Sequence, residues 1–484
     1  MKKRLNQKYF YGGTSESEKI GIQGSFAYGE KLNIFDEPSQ MSILPKTVKV
    51  SGATVADLIK WIVPGTPHTA SKYFYGDAGK IYREESDGTW SLLQNTSNSG
   101  GQGMDVYDDY LYYTQDTQIG RYGALSGTPS FEDDWQTGLN DTSGTNIAPV
   151  KAFKDGLAVG HGNYLGWWDG STWDEDMLVL PEGLQIRSLE VIDEFLVIGT
   201  WRGTAITDNE EGYIFLWDGA STTYNFFKKI PEGGINAMSN TRNRLLSVIG
   251  SSGNIFINYN PFENVQQIPK MTLGTYCEVL PGAMTNWKNN TYIGVSGNSD
   301  NTTLKKGVYS WGSKSTKYPE VLNFSYQIST GNDTGNSLKI GAVEGIGDYL
   351  YISWLDSDGT TYGVDKVTNS GDPYAEAKLE ALIFDNEQLY NDKLALTIKA
   401  VHFPLVAGES IQLGYKTNRA DGWTTGDANS TVGSTKTILN VPPDDARFLE
   451  FQTECIMATS GTTSPTVTYF GMEFDDLKEE EVYA

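Results

Sequence analysis

The sequence predicts an all-β protein: a β-propeller of seven blades, or six if the first or last is incomplete, with an extended N-terminal arm and a C-terminal antiparallel β-sandwich. Three observations carry this expectation. A polar turn followed by a short apolar or aromatic strand recurs at intervals through most of the chain. The composition is rich in turn formers and aromatics, with 53 Gly, 28 Tyr and 12 Trp among 484 residues, and it shows no long run of helical period, which together favour many short strands. Beyond residue 371 the recurring unit gives way to strict apolar–polar alternation.

The arm comes first. Residues 1–54 lie outside the repeat, and segment 17–50 carries Ile20, Ile22, Phe26, Tyr28, Leu32, Ile34, Phe35, Met41, Ile43 and Leu44 in extended pieces separated by Pro38 and Pro45. A free tail would not hold so many apolar side chains, so the arm is expected to dock on its own propeller, on the sandwich or on a neighbouring subunit. These ten residues are the predicted assembly site.

The propeller follows, over residues 55–371. The recurring unit reads Asp109-Tyr-Leu-Tyr-Tyr-Thr, Asp155-Gly-Leu-Ala-Val-Gly, Glu194-Phe-Leu-Val-Ile-Gly and Asp348-Tyr-Leu-Tyr-Ile-Ser in four of its copies. Measured from Tyr73, Leu111, Leu157, Leu196, Leu246, Tyr292 and Leu350, the spacings are 38, 46, 39, 50, 46 and 58 residues. Such periods match one four-stranded blade with variable loops. An apolar inner strand is expected to stack against its neighbours around the ring, preceded by an Asp or Asn turn. A later strand in the unit often ends in Trp-Asp-Gly, where Asp-Gly supplies a tight turn. Residues 54–63 are expected to form a turn and the first blade strand.

Residues 372–476 alternate strongly in six stretches separated by Gly- and Asp-rich turns, the signature of a sandwich. Residues 477–484 form an acidic tail.

Composition excludes several functions. The formal net charge is −24, which repels phosphate backbones and anionic lipid, so no tight nucleic-acid binding is expected. The basic start MKKRLNQKYF has no apolar run behind it, and no stretch is long and apolar enough for membrane insertion. Cys277 and Cys455 are too far apart in sequence to suggest a disulfide framework. With His68, His161 and His402 they offer no metal motif, so neither metal nor cofactor is expected.

Motifs for chemistry are equally sparse. Glu85-Ser-Asp-Gly-Thr-Trp90 and Trp168-Asp-Gly-Ser-Thr-Trp173 approach the Asp-box turn of sialidase-type propellers but lack one residue of it, and read as blade turns. Asp356-Ser-Asp-Gly-Thr-Thr lacks the spacing of a calcium loop. No carboxylate pair stands out among the 61 acids, although a glycosidase needs one across its cleft. The expectation is no catalysis. Exposed aromatics remain as candidate contacts for a sugar or a protein partner, with Trp167, Trp173 and Trp201 the residues chosen.

The order of arm, propeller and sandwich resembles the nozzle (tail-plug, DNA-stabilisation) proteins of short-tailed bacteriophages. In residues, Ala446-Arg-Phe-Leu-Glu-Phe-Gln-Thr-Glu and Thr466-Val-Thr-Tyr-Phe-Gly-Met-Glu-Phe resemble the closing strands of their sandwich, and Gly21-Ile-Gln-Gly-Ser-Phe resembles openings common in phage tail proteins. The resemblance implies a virion structural protein, made in the host cytoplasm, forming a homo-oligomeric ring with other virion proteins at the DNA exit path or host-facing end of the tail. The alternative is a glycan-binding adhesin or depolymerase that meets a host surface glycan with one propeller face.

Overall fold

The computed structural model describes residues 2–15, 17–65, 72–96, 100–124, 128–139, 147–202, 212–230, 233–241, 245–250, 255–258, 266–267, 278–297, 305–385 and 393–476. The described residues contain strands and turns but no helix. The chain divides into two compact units, one of residues 47–308 and 327–367, the other of residues 1–46, 309–326 and 368–484. His68, Cys277 and the acidic tail lie outside the described residues.

The first unit is a β-propeller. Its innermost strands are Ile59–Pro64, Gly103–Tyr107, Val150–Phe153, Leu184–Ile192, Ile235–Thr241, Met284–Trp287 and Lys339–Ile346, and each touches the next around a closed circuit of seven. We number the blades 1 to 7 in that order. Six of them are four-stranded antiparallel sheets, for example Gly103–Tyr107, Tyr110–Gln115, Gln118–Gly123 and Ser130–Thr137 in blade 2. Blade 6 contributes the hairpin of Met284–Trp287 and Asn290–Val295 to this unit. The ring is closed by sequence-distant residues: Val48–Lys49 is the fourth strand of blade 7, pairing with Asp365 and Lys366.

The seven repeat markers, Tyr73 to Leu350, all occupy the second strand of their blades. The apolar repeat strand is therefore the second of each blade, one step out from the innermost, and it packs against its neighbours around the ring as expected, Leu111 and Tyr113 sharing a cluster with Tyr73 and Tyr75. The reason lies in the turn. Asp108 and Asp109 have φ of 43° and 64°, and Lys288 and Asn289 have 47° and 69°, the left-handed pair that joins two twisted strands through a two-residue loop. That turn connects the innermost strand to the second strand, so it precedes the latter in sequence. The second strand is buried on both faces, as Gly156–His161 is throughout, and reads as continuously apolar. Apolar clusters fill the gaps between blades, such as Tyr73, Tyr75, Met104, Leu111 and Tyr113 between blades 1 and 2.

The Asp-Gly motifs are blade turns. The Asp169 carboxylate accepts from the N–H groups of Ser171 and Thr172 at 2.8 and 2.7 Å, and Gly170 follows at φ 93°. Asp358 does the same with Thr360 and Thr361, both at 2.8 Å. These carboxylates satisfy turn donors.

The second unit contains two sheets around one core. One has the order Lys2–Gln7, Val467–Asp476, Lys393–His402, Lys436–Asn440. In the other, Phe26–Glu30 runs antiparallel to Glu376–Ala381, which continues to Gln452–Thr459 and Glu409–Lys416. Phe26, Leu32, Ile34, Met41 and Ile43 share the core with Leu379, Ile398, Leu413, Met457 and Phe470.

The arm thus differs from its expected boundary and form. Residues 1–46 are an integral part of the two-sheet unit, and residues 47–49 belong to the propeller. Of the ten assembly residues, Phe26, Leu32, Ile34, Met41, Ile43 and Leu44 are buried, Tyr28 and Phe35 are half-buried, and Ile20 and Ile22 are exposed at 77% and 53%. The two isoleucines fall in a turn-rich segment outside any strand, which turns them outward.

Candidate functional site

The innermost strands enclose an axial cavity of about 330 Å³. Every blade contributes to its lining. Trp61, Asp105, Lys151, Glu190, Asn240, Asn286 and Glu344 come from blades 1 to 7 in turn. The site follows from strand register. Asp105, Lys151, Glu190 and Glu344 stand opposite Tyr112, Ala158, Val197 and Tyr351, each the residue after its repeat marker. Blades 2, 3, 4 and 7 thus supply the same position of their innermost strands to the cavity, while Trp61, Asn240 and Asn286 stand at neighbouring positions of theirs.

Many of these polar groups also join neighbouring blades. Trp61 Nε1 donates to the Gly101 carbonyl at 2.8 Å. The Ala152 N–H donates to Asp105 Oδ2 at 2.8 Å. Lys151 Nζ lies 3.1 Å from Glu190 Oε1. Asn240 Nδ2 donates to the Val191 carbonyl at 2.9 Å and Asn286 Nδ2 to the Asn240 carbonyl at 3.1 Å. Thr285 Oγ1 donates to Glu344 Oε1 at 3.3 Å.

The electrostatics are uneven around the ring. Burial works against the charge of Lys151, yet the carboxylates of Glu190 and Asp105 hold its ammonium protonated above the ordinary lysine range. Burial pushes the Asp105 carboxyl up, opposed by Lys151 and the Ala152 N–H. Glu344 is pushed up to about 8, by burial first, while Lys151 and the Thr285 hydroxyl pull the other way. Thr285 is its only hydrogen-bond donor among the described residues. The cavity therefore holds an internally neutralised lysine and, in blade 7, a carboxyl with little support. Such a site can take a cation or hold a proton. Among the described residues no group of three His, Cys, Asp or Glu side chains is placed to hold a metal ion, and no Ser–His–acid arrangement lines the cavity.

The sequence-chosen tryptophans lie elsewhere in the propeller. Trp201 is 3% exposed, with the Arg187 guanidinium 3.8 Å from its ring centroid. It offers no face to a sugar, and that expectation is corrected. Its place at the end of a second strand, as in blade 4, puts the ring between blades. Trp167 is half-buried, edge-on to Trp217 at 5.2 Å. Trp173 is half-buried too, and its ring lies over Gly166, where a Cβ would come within 2.3 Å of it. The three do not converge on one surface feature with the axial cavity. No sequence motif pointed to the cavity, because its lining is drawn a few residues at a time from seven separate blades.

No family model matches this sequence, and no curated protein matches it. Solved structures similar to it include the extracellular domain of the hybrid two-component system BT4673 from B. thetaiotaomicron, at 12% identity and TM-score 0.46, covering 75% of this chain and 44% of that one. YCF48 from Cyanidioschyzon merolae is 10% identical with TM-score 0.46, covering 67% and 98%. BamB from Moraxella catarrhalis is 13% identical with TM-score 0.38, covering 76% and 96%. The chain spans less than half the length of the first of these. By its own strand order, the larger unit of this all-β chain is a β-propeller.

Proposed function

We propose that the chain is a non-enzymatic structural subunit of a tailed-phage virion, a ring component of the tail. The observation that carries this reading is the second unit. Its N-terminal strand Lys2–Gln7 pairs residue by residue with the C-terminal strand Val467–Asp476, from Lys2 opposite Asp475 to Gln7 opposite Phe470. The propeller sequence lies between the two. The resemblance to phage nozzle proteins rests on the order of arm, propeller and sandwich, and this pairing joins the first and last of those segments in one unit. The axial site adds support on the negative side, since its polar side chains stitch blades together and its lysine is already paired. The packed state of Trp201, Trp167 and Trp173 weighs against the adhesin reading.

Mass photometry of the purified chain, with cryo-electron microscopy of the parent particle, tests the proposal. The expected result is a discrete ring of 53.3 kDa subunits that fits density in the tail. A chain that stays monomeric at all concentrations and is missing from purified particles overturns it.

A further inference from the structure

We propose that the axial cavity of the propeller binds a protonated primary amine on an unbranched alkyl chain, with the Glu344 carboxylate as its counter-ion. The inference is independent of the virion role, because it concerns the propeller unit alone.

The chemistry of the lining selects the ligand class. An anion is disfavoured: Lys151, the one cationic side chain of the lining among the described residues, is 3.1 Å from Glu190, and Asp105 adds to its neutralisation. A divalent metal is disfavoured because the acids stand on blades 2, 4 and 7 and do not group into a ligand set. A quaternary ammonium needs an aromatic cage, and among the described residues Trp61 is the only aromatic side chain of the lining. What remains is a cation that donates hydrogen bonds. Glu344 accepts one bond, from Thr285 to Oε1, so Oε2 is open to a donor. Met104, Met238 and Met284 from blades 2, 5 and 6 border the cavity; all three are buried, Met104 and Met238 within the apolar clusters between blades, and they give the alkyl chain an apolar flank. The volume of about 330 Å³ lies at the small end of ligand pockets.

Binding should be linked to pH. The groups facing Glu344 are Thr285 from blade 6, Asp105 from blade 2, Lys151 from blade 3 and Glu190 from blade 4, whereas among the described residues blades 1 and 5 present no titratable side chain to the cavity. Among these, burial keeps the Glu344 carboxyl protonated until about pH 8. The amine binds the ionised form, so its arrival releases a proton. Apparent affinity then scales with the ionised fraction and falls roughly 100-fold from about pH 9 to about pH 6. Alkylamines keep their charge over that range.

The amine could come from a free diamine or from a lysine side chain of a protein partner. The full-length chain is titrated by calorimetry with 1,4-diaminobutane, n-butylamine, an N-acetylated lysine methylamide, tetramethylammonium and butyrate. The expected result is saturable binding of the three primary amines, none of the last two, and at least tenfold weaker binding by Glu344→Gln. Tighter binding of the diamine identifies a free ligand, and tighter binding of the lysine derivative identifies a partner's side chain. In parallel, methyl NMR of the unaltered protein should show shifts at Met104, Met238 and Met284 but not at Met457 or Met472, so the proposal stays testable if the variant does not fold. Unmoved methyls at about 10 mM amine, well above the Kd of a weak millimolar site, overturn it. So does equal binding by Glu344→Gln.

Discussion

Replacing Glu84 with glutamine should loosen the seam between the first and last blades, the one seam that closes the ring. The Glu84 side chain is 3% exposed. It accepts a hydrogen bond from the Tyr351 hydroxyl of blade 7 at 2.8 Å, and faces Lys72 of blade 1 at 3.0 Å and Lys366 of blade 7 at 3.4 Å. Burial, then the Glu84 carboxylate, hold the Tyr351 hydroxyl protonated far above the ordinary phenol range, so the tyrosine is a permanent donor here. A hydrogen bond to a charged acceptor contributes about 1.5–3 kcal/mol. The lysines, 22% and 29% exposed, reach water, so each pair adds at most ~1 kcal/mol. Glutamine keeps an acceptor but no charge, which gives an expected loss of about 2–3 kcal/mol. Tyr351→Phe should cost a comparable amount, and the double variant clearly less than the sum, because one weakens and the other removes the same bond. Urea unfolding, with hydrogen exchange read over residues 80–84, 349–355 and 48–49, measures this. Strictly additive losses, or a loss within about 0.5 kcal/mol for Glu84→Gln, would refute the assignment of this seam to Glu84.

Four further outcomes are expected. Asp365, buried and pushed up to about 6 by burial despite the Ser329 donors, keeps its proton to higher pH when folded than when unfolded. Its contribution is therefore full below about pH 4 and lost as pH rises through about 6, so the stability of Asp365→Asn relative to the parent should rise by roughly 2–3 kcal/mol from pH 4 to 7 in urea titrations. Trp201→Ala should cost about 3–5 kcal/mol by cavity formation and loss of the Arg187 contact, with no change on a glycan array. Deleting residues 1–46 removes Phe10, Phe26, Leu32, Ile34, Met41 and Ile43 from a shared core. At roughly 1.5–3 kcal/mol each this exceeds the net stability of a domain, so limited proteolysis should digest the two-sheet unit throughout. Cys455, buried with its thiol pushed up to about 12, should not react with a thiol reagent until the chain is unfolded.

What the sequence made legible follows from range. The blade repeat was readable because its two signals are adjacent in the chain: a left-handed polar turn, then a strand buried on both faces. Leu111, Leu157, Leu196, Leu246 and Leu350 hold equivalent places for that reason. The arm's apolar content was readable, but its partner was not, since Phe26 meets Leu379 and Met457 in one core and no local pattern encodes a contact that distant. The assignment of residues 309–326 to the two-sheet unit was hidden likewise, because Val321–Tyr326 looks like any other buried strand. The axial site was the least legible part. Asp105, Lys151, Glu190 and Glu344 are single polar residues in separate blades, and only the closed ring makes neighbours of them. Trp201 illustrates the opposite error, where an aromatic near a turn suggested a surface and register placed it inside.

The pairing of Lys2–Gln7 with Val467–Asp476 also sets the order in which the protein can be made. At about 5–20 residues per second, the first strand waits roughly half a minute or more for its partner to be translated. Blades 1 to 5 can form behind it one after another, from contacts within each hairpin. The ring itself stays open until Tyr362–Thr368 has emerged to receive Val48–Lys49. Throughout that interval the nascent chain carries an unpaired strand and the apolar side chains of residues 26–43. Lys2, Lys3 and Arg4 lie on that waiting strand, where charge discourages pairing with the wrong chain. Completion of the two-sheet unit thus waits for the emergence of Val467–Asp476, after the whole propeller has been synthesised.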